Sequence, residues 1–189
     1  MACLLTRSRA EACKDSVAGI KEIYFVDFGL LGAYTVGSSD EITNATSLEN
    51  ITAHKYLVKG NNSFETTVNA SRENGTVFFE QVLNITLKKL TKEDNKELKL
   101  LAAGRPHIFV VDQNDNVFLM GKENGADVTA GTVSTGNALG DFNGYNLTFT
   151  AMEKLPPNFV TVDSSSATFP LSELAGLRGT ITIGTPASV

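Results

Sequence analysis

Asn74-Gly75 sits between two long runs, Asn62 to Arg72 and Thr76 to Lys88, that contain no glycine and no proline. Asn-Gly tolerates positive φ and is the strongest short-range signal for chain reversal, so the two runs read as one long antiparallel hairpin. Period-two alternation sorts the side chains. Phe64, Thr66, Val68 and Ala70 share one face with Val77, Phe79, Leu83, Ile85 and Leu87, interrupted by Gln81. Glu65, Thr67, Asn69, Ser71 and Glu73 share the other with Thr76, Phe78, Glu80, Val82, Asn84, Thr86 and Lys88. A hairpin with one greasy face must lay that face on a second layer, which the rest of the chain has to supply.

The remaining segments read mostly as strands. Ile20 to Phe28 is β-branched and aromatic; His107 to Val111, Val117 to Met120, Val128 to Ser134, Gly144 to Met152, Phe159 to Val162 and Thr180 to Ile183 look extended. Thr91 to Ala103 is the one helix expected. Thr91 and Asp94 resemble a capping box, Leu98, Leu101 and Ala102 form the apolar stripe, and Gly104 and Pro106 end it. A helical turn is expected at Ser172 to Ala175. Gly29 to Ala53 is polar and reads as a long loop, of the kind that binds something or docks on a neighbour. Gly136, Gly140 and Gly144 punctuate the approach to a strand that Pro156 and Pro157 close. The fold class is mainly β (α+β): an antiparallel β-sandwich or barrel with one flanking helix and the long amphipathic hairpin. One domain over 1–189 is expected, with an N-terminal arm at 1–19 and a C-terminal extension at 164–189.

Composition narrows the function classes. The chain has 189 residues, 42% hydrophobic and 20% charged, a globular balance with enough length for a real core. No apolar run approaches the ~20 residues of a membrane span. The opening, MACLLTRSRAEACKD, lacks the apolar stretch of a signal peptide, so export is not expected. Net charge is −5, with no basic block to grip phosphate. Cys3 and Cys13 are read as structural or free thiols, with a disulfide or a metal role as lesser alternatives; His54 and His107 have no metal-ligand spacing. Asp112, Asn114, Asn116 and Glu123 fall on EF-hand ligand positions, yet Val117 stands where glycine makes the sharp turn, so a hairpin turn is expected. No Walker lysine, dinucleotide fingerprint or nucleophile elbow occurs. No cofactor and no enzymatic activity are expected. Seven Asn-x-Ser/Thr sequons reflect a Thr- and Asn-rich β protein.

Long strands expose edges, and edges must be paired or blocked. A ring of identical subunits pairs them into a continuous barrel, and such an assembly subunit fits a chain with an amphipathic hairpin and no catalytic motif. The opening MACLLTRSRAEACKDSVAGIKEIYF, the hairpin SRENGTVFFEQVLNITLKKL with its helix, the segment IFVVDQNDNVFLMG and TGNALGDFNGYNLTFTAMEKLPP together resemble a tailed-bacteriophage tail tube protein, of the type found in marine and crAss-like phages. The likeness covers about Met1 to Val162. It implies hexameric rings stacked into a conduit for genome delivery, assembled in the host cytoplasm and carried in the virion tail. The implied partners are further copies of the chain, other tail or portal and adaptor proteins, and passing DNA that is not specifically bound; no membrane is implied. On this resemblance Glu65, Thr67, Asn69, Ser71, Glu73, Glu80, Asn84 and Thr86 line the lumen, and a loop around Ser38, Asp40, Glu41, Thr43 and Asn44 touches the next ring. A tail terminator, adaptor or head-decoration subunit and a secretion-system tube protein are the alternatives. Microscopy of the purified protein separates the first group, and genomic context the second.

Overall fold

The computed structural model describes residues 7–11 and 13–186. Cys3 lies outside them, and Cys13 is exposed with a free thiol. Twelve strands and one helix follow in order: β1 (Ile20–Val26), β2 (Tyr34–Val36), β3 (Ile42–Ala45), β4 (Ile51–Leu57), β5 (Ser63–Ser71), β6 (Thr76–Lys88), α1 (Lys92–Ala103), β7 (His107–Asp112), β8 (Val117–Met120), β9 (Asp127–Ser134), β10 (Gly144–Glu153), β11 (Asn158–Phe159) and β12 (Ile181–Gly184).

A six-stranded sheet runs β11-β8-β7-β1-β4-β12, and a four-stranded sheet runs β5-β6-β10-β9. All pairings in them are antiparallel except β12 against β4. The two sheets pack face to face. Ile23, Phe25, Ile108, Val110 and Met120 from the larger meet Leu83, Ile85, Tyr145, Leu147 and Phe149 from the smaller in one core. The sandwich expected from alternation is the fold observed. Gly75 adopts φ 63° in the hairpin turn, a left-handed conformation that other residues enter at a cost. Thr91 caps α1 by accepting a hydrogen bond from the Asp94 amide at 3.0 Å, and Leu98 and Leu101 pack against the same core. The helix ends in extended chain at Gly104 rather than in a left-handed cap.

The six-stranded sheet is buried on its other face too. Tyr24, Val26, Phe109, Val111, Val117 and Leu119 pack there against Leu31, Ile42, Ala45, Val160, Leu171 and Leu174. This is why Ile23 to Val26 in β1 and Ile108 to Val111 in β7 read as unbroken apolar runs: successive side chains enter different cores. The covering layer comes from two segments whose sequence reads as polar loop and terminal extension. The stretch 29–53 holds β2, β3 and the start of β4; Leu31, Ile42, Ala45, Ile51 and Ala53 from it are buried, while Val36 and Leu48 stay exposed. In the stretch 164–186, Leu171 and Leu174 enter the core and β12 extends the large sheet beside β4. Ser172 to Ala175 forms turns rather than a helix. Strand pairing after Pro157 stops at Phe159, with only an isolated bridge from Val160 to Ile42 beyond it.

Phe149 is fully buried, with its ring 5.3 Å from that of Phe25 across the sheets. Phe149→Ala removes a large side chain where neither sheet can collapse, and should cost about 3–5 kcal/mol of stability, read from chemical denaturation midpoints.

Candidate functional site

The outer face of the four-stranded sheet gathers most of the polar residues singled out from the sequence. The β5–β6 register pairs Glu65 with Val82, Thr67 with Glu80, Asn69 with Phe78 and Ser71 with Thr76, which sets them on the face away from the core. Asn84 and Thr86 continue that face, and β10 adds Asn146, Thr148 and Thr150 through its register with β6. Glu73 lies outside this face, in the turn between β5 and β6. β9 contributes Asp127 and Thr132, which the weak alternation of DVTAGTVS does not single out.

Hydrogen bonds knit this face across the strands. Thr148 Oγ1 donates to Asn84 Oδ1 at 2.8 Å, and Asn84 Nδ2 donates to Ser63 Oγ at 3.3 Å. Thr86 Oγ1 donates to Asn146 Oδ1 at 3.0 Å, and the Thr129 and Thr150 hydroxyls stand 2.8 Å apart. Such cross-strand pairs stabilise the sheet modestly and fix side-chain direction. The charges are Glu65, Glu80 and Asp127 against Lys88, so the face is net acidic. Phe78, Val82 and Met152 interrupt it.

Both edges of this sheet are unpaired among the described residues. β5, with nine residues, pairs only with β6, and β9, with eight, only with β10. Neither strand contains lysine or proline, the residues that commonly blunt edges.

Ser38, Asp40, Glu41, Thr43 and Asn44 form a small hairpin on the opposite side of the molecule, beyond the six-stranded sheet. The Gly37 amide donates to the Glu41 carbonyl at 2.8 Å, and the Ser39 amide to Glu41 Oε2 at 2.9 Å. Thr43 Oγ1 donates to the Thr35 carbonyl, while Asn44 Oδ1 accepts from the Gly176 amide at 2.6 Å. The Asp40 carbonyl accepts from Asn158 Nδ2 at 2.6 Å. Much of this polar set is used internally, and Ser38 remains exposed at the turn.

The calcium-like segment is a hairpin turn. Asp112 Oδ1 accepts from the amides of Asn114 and Asn116, both at 2.8 Å, and Oδ2 accepts from Asn116 Nδ2 at 2.9 Å. Burial pushes the Asp112 carboxyl upward, but these hydrogen bonds together outweigh it and hold it below the usual value. Glu123 lies beyond the far end of β8. Asn114 also clasps the N-terminal arm, exchanging hydrogen bonds with the Val17 amide and carbonyl at 2.9 and 2.8 Å. Among the described residues no three His, Cys, Asp or Glu side chains stand close enough to share a metal, and no helix is long and apolar enough to cross a membrane.

Among the described residues four polar ones are buried: Gln81, His107, Glu153 and Asn158. Three of them brace the 121–124 turn. Gln81 Oε1 accepts from the Gly121 amide, His107 Nδ1 stands 2.7 Å from the Gly121 carbonyl, and Glu153 Oε1 accepts from the amides of Glu123 and Asn124. Gln81, the interruption in the greasy stripe of β6, is therefore a strut. The Gly29 amide donates to His107 Nε2 at 3.3 Å, so Nδ1 carries the proton and the ring is neutral. No protein-family model, curated protein or solved structure matches the chain.

Burial, partly offset by the Gly121 hydrogen bond, lowers the His107 pKa. The unfolded chain therefore binds a proton that the folded chain refuses. Stability contributed by the neutral ring is present above the ordinary histidine value of 6.5 and is lost as pH falls from there toward the lowered folded value. The melting temperature should drop over that window. In the folded protein the His107 imidazole signals should titrate below the usual range by NMR.

Proposed function

We propose that this chain is the ring-forming subunit of a tail tube of the tailed-phage kind, a conduit for DNA. The observation that carries this reading is the four-stranded sheet with two unpaired edges and a hydrogen-bonded polar face. β5 and β9 run in opposite directions, because three successive antiparallel pairings separate them. Rotation about an axis along the strands brings β9 of one copy beside β5 of the next as one more antiparallel pair, and repetition closes a ring. Six copies give a barrel of about 24 strands, wider than the roughly 16–18 strands of porins that already enclose an aqueous channel. The polar face then lines the lumen, and the larger sheet with its covering layer forms the outer wall.

Electron microscopy of the purified protein, with light scattering across a concentration series, tests the reading. Rings or short tubes are expected. A strictly monomeric species at high concentration, with no rings, overturns it.

A lumen that conducts DNA must not hold phosphate, and clustered cations on its wall would do so. Glu80→Lys, on the inner strand β6 and away from both edges, should leave rings intact yet slow DNA delivery at least tenfold in an ejection assay. Delivery at the normal rate from assembled virions counts against the lumen assignment.

A further inference from the structure

The β5–β6 hairpin is longer than the sheet that contains it. β10 ends at Glu153, opposite Phe79, whereas β6 begins at Thr76. Three residue pairs and the Arg72–Gly75 turn therefore stand clear as a two-stranded ribbon, projecting about 10 Å or slightly more beyond the third strand. Apolar side chains occupy both faces of that ribbon. Val77 is 55% exposed on the core-side face, next to Val68 at 58% where the ribbon leaves the sheet, and Phe78 is 39% exposed on the polar face. A free hairpin tip ordinarily carries polar residues here, so the exposed valines and phenylalanine mark a contact surface. The turn adds one charge of each sign, Arg72 and Glu73.

The other end of the same sheet carries a recess. Lys88, Lys89, Leu90, Asp141, Phe142 and Asn143 line an open cleft of about 540 Å³ where β6 leaves the sheet and β10 enters it. Its walls are held in place: the Lys89 amide donates to the Asn143 carbonyl at 2.8 Å, and the Leu90 amide to Asn143 Oδ1 at 3.2 Å. Neither lysine is ion-paired among the described residues. Tip and recess each carry apolar side chains and charges of both signs: Arg72 and Glu73 at the tip, Lys88, Lys89 and Asp141 at the recess.

The geometry points to a head-to-tail contact between copies, in which the hairpin tip of one chain seats in the Lys88–Phe142 cleft of the next along the strand direction. The occupant is a second copy of this chain. A heterologous contact of this kind does not close on itself and generates an open stack. It rests on the ring reading above, and supplies the axial contact that the β5 and β9 edges, which act around the ring, do not. Tip and cleft are separated by the length of β6, thirteen residues, which sets an axial repeat of ~30–40 Å once strand tilt is included.

Cross-linking and microscopy test it on the full chain. In a background with Cys3→Ser and Cys13→Ser, Asn74→Cys combined with Lys88→Cys should give a ladder of disulfide-linked multimers under mild oxidation. Either single variant should give dimers at most; a double variant that does no better overturns the proposal. Val77→Asp with Phe78→Asp, both at exposed positions, should leave rings and melting temperature unchanged but cut tube formation at least tenfold. Glu73→Lys should shorten tubes, and adding Lys89→Glu should restore them. Tip variants that stack normally overturn the axial contact, as do tip variants that lose rings, since the tip would then belong to ring closure. A wild-type chain that forms rings without stacking removes this inference alone; one that forms neither removes the ring reading as well.

Discussion

Burial of β1 and β7 on both faces organises everything else in the molecule. Ile23, Phe25, Ile108 and Val110 look into the core between the sheets, while Tyr24, Val26, Phe109 and Val111 look into the layer beyond. A sheet buried on both sides needs two covers, and each cover has its own outer surface. The four-stranded sheet provides one cover, so its other face is free to be polar. The β2–β3 hairpin and the segment around Leu171 and Leu174 provide the other, so that layer is committed to packing. Among the described residues, only the four-stranded sheet combines a wet face with open edges.

β6 ties these roles together. Leu83 and Ile85 anchor it in the core, each contributing roughly 1.5–3 kcal/mol through burial. Alternate residues, Asn84 and Thr86, carry the polar ladder on the other side. Gln81 interrupts the apolar stripe, and the bond from the Gly121 amide to its side-chain oxygen offsets part of the cost of burying it. Past Phe79 the same strand outruns its neighbour β10 and becomes the projecting tip. One strand of thirteen residues therefore buries, presents and projects. A register slip of one residue would lose all three at once.

The hairpin, the capped helix and the longer strands were legible in the sequence because each has a local physical signature: Asn-Gly tolerating positive φ, Thr91 reaching the Asp94 amide, and period-two alternation. The polar face followed from the same alternation, with Glu73 set apart only because the turn begins at Arg72. The second covering layer was not legible. β2 and β3 are three and four residues long, too short for a period to show, and their surroundings are serine, threonine and asparagine. Leu171 and Leu174 stand in a stretch without periodicity, and β12 acquires its meaning from a parallel neighbour 130 residues earlier in the chain, Ile51 opposite Ile181. Buried polar struts such as His107 and Glu153 are equally silent, because their roles depend on backbone amides brought together only by the fold.

The chemistry of the polar face follows from what a conduit must avoid. On the proposed reading its surface is chiefly neutral amides and hydroxyls bonded to one another, as in the chain from Thr148 to Asn84 to Ser63. Groups already paired across strands have little left to offer a passing phosphate, so the wall is wet without being adhesive. The few carboxylates act over a short range, since salt screens exposed charge within about 8 Å at physiological ionic strength. Glu65, Glu80 and Asp127 therefore repel only what comes near the wall, and leave the middle of a wide channel free of any force that would slow a polyanion.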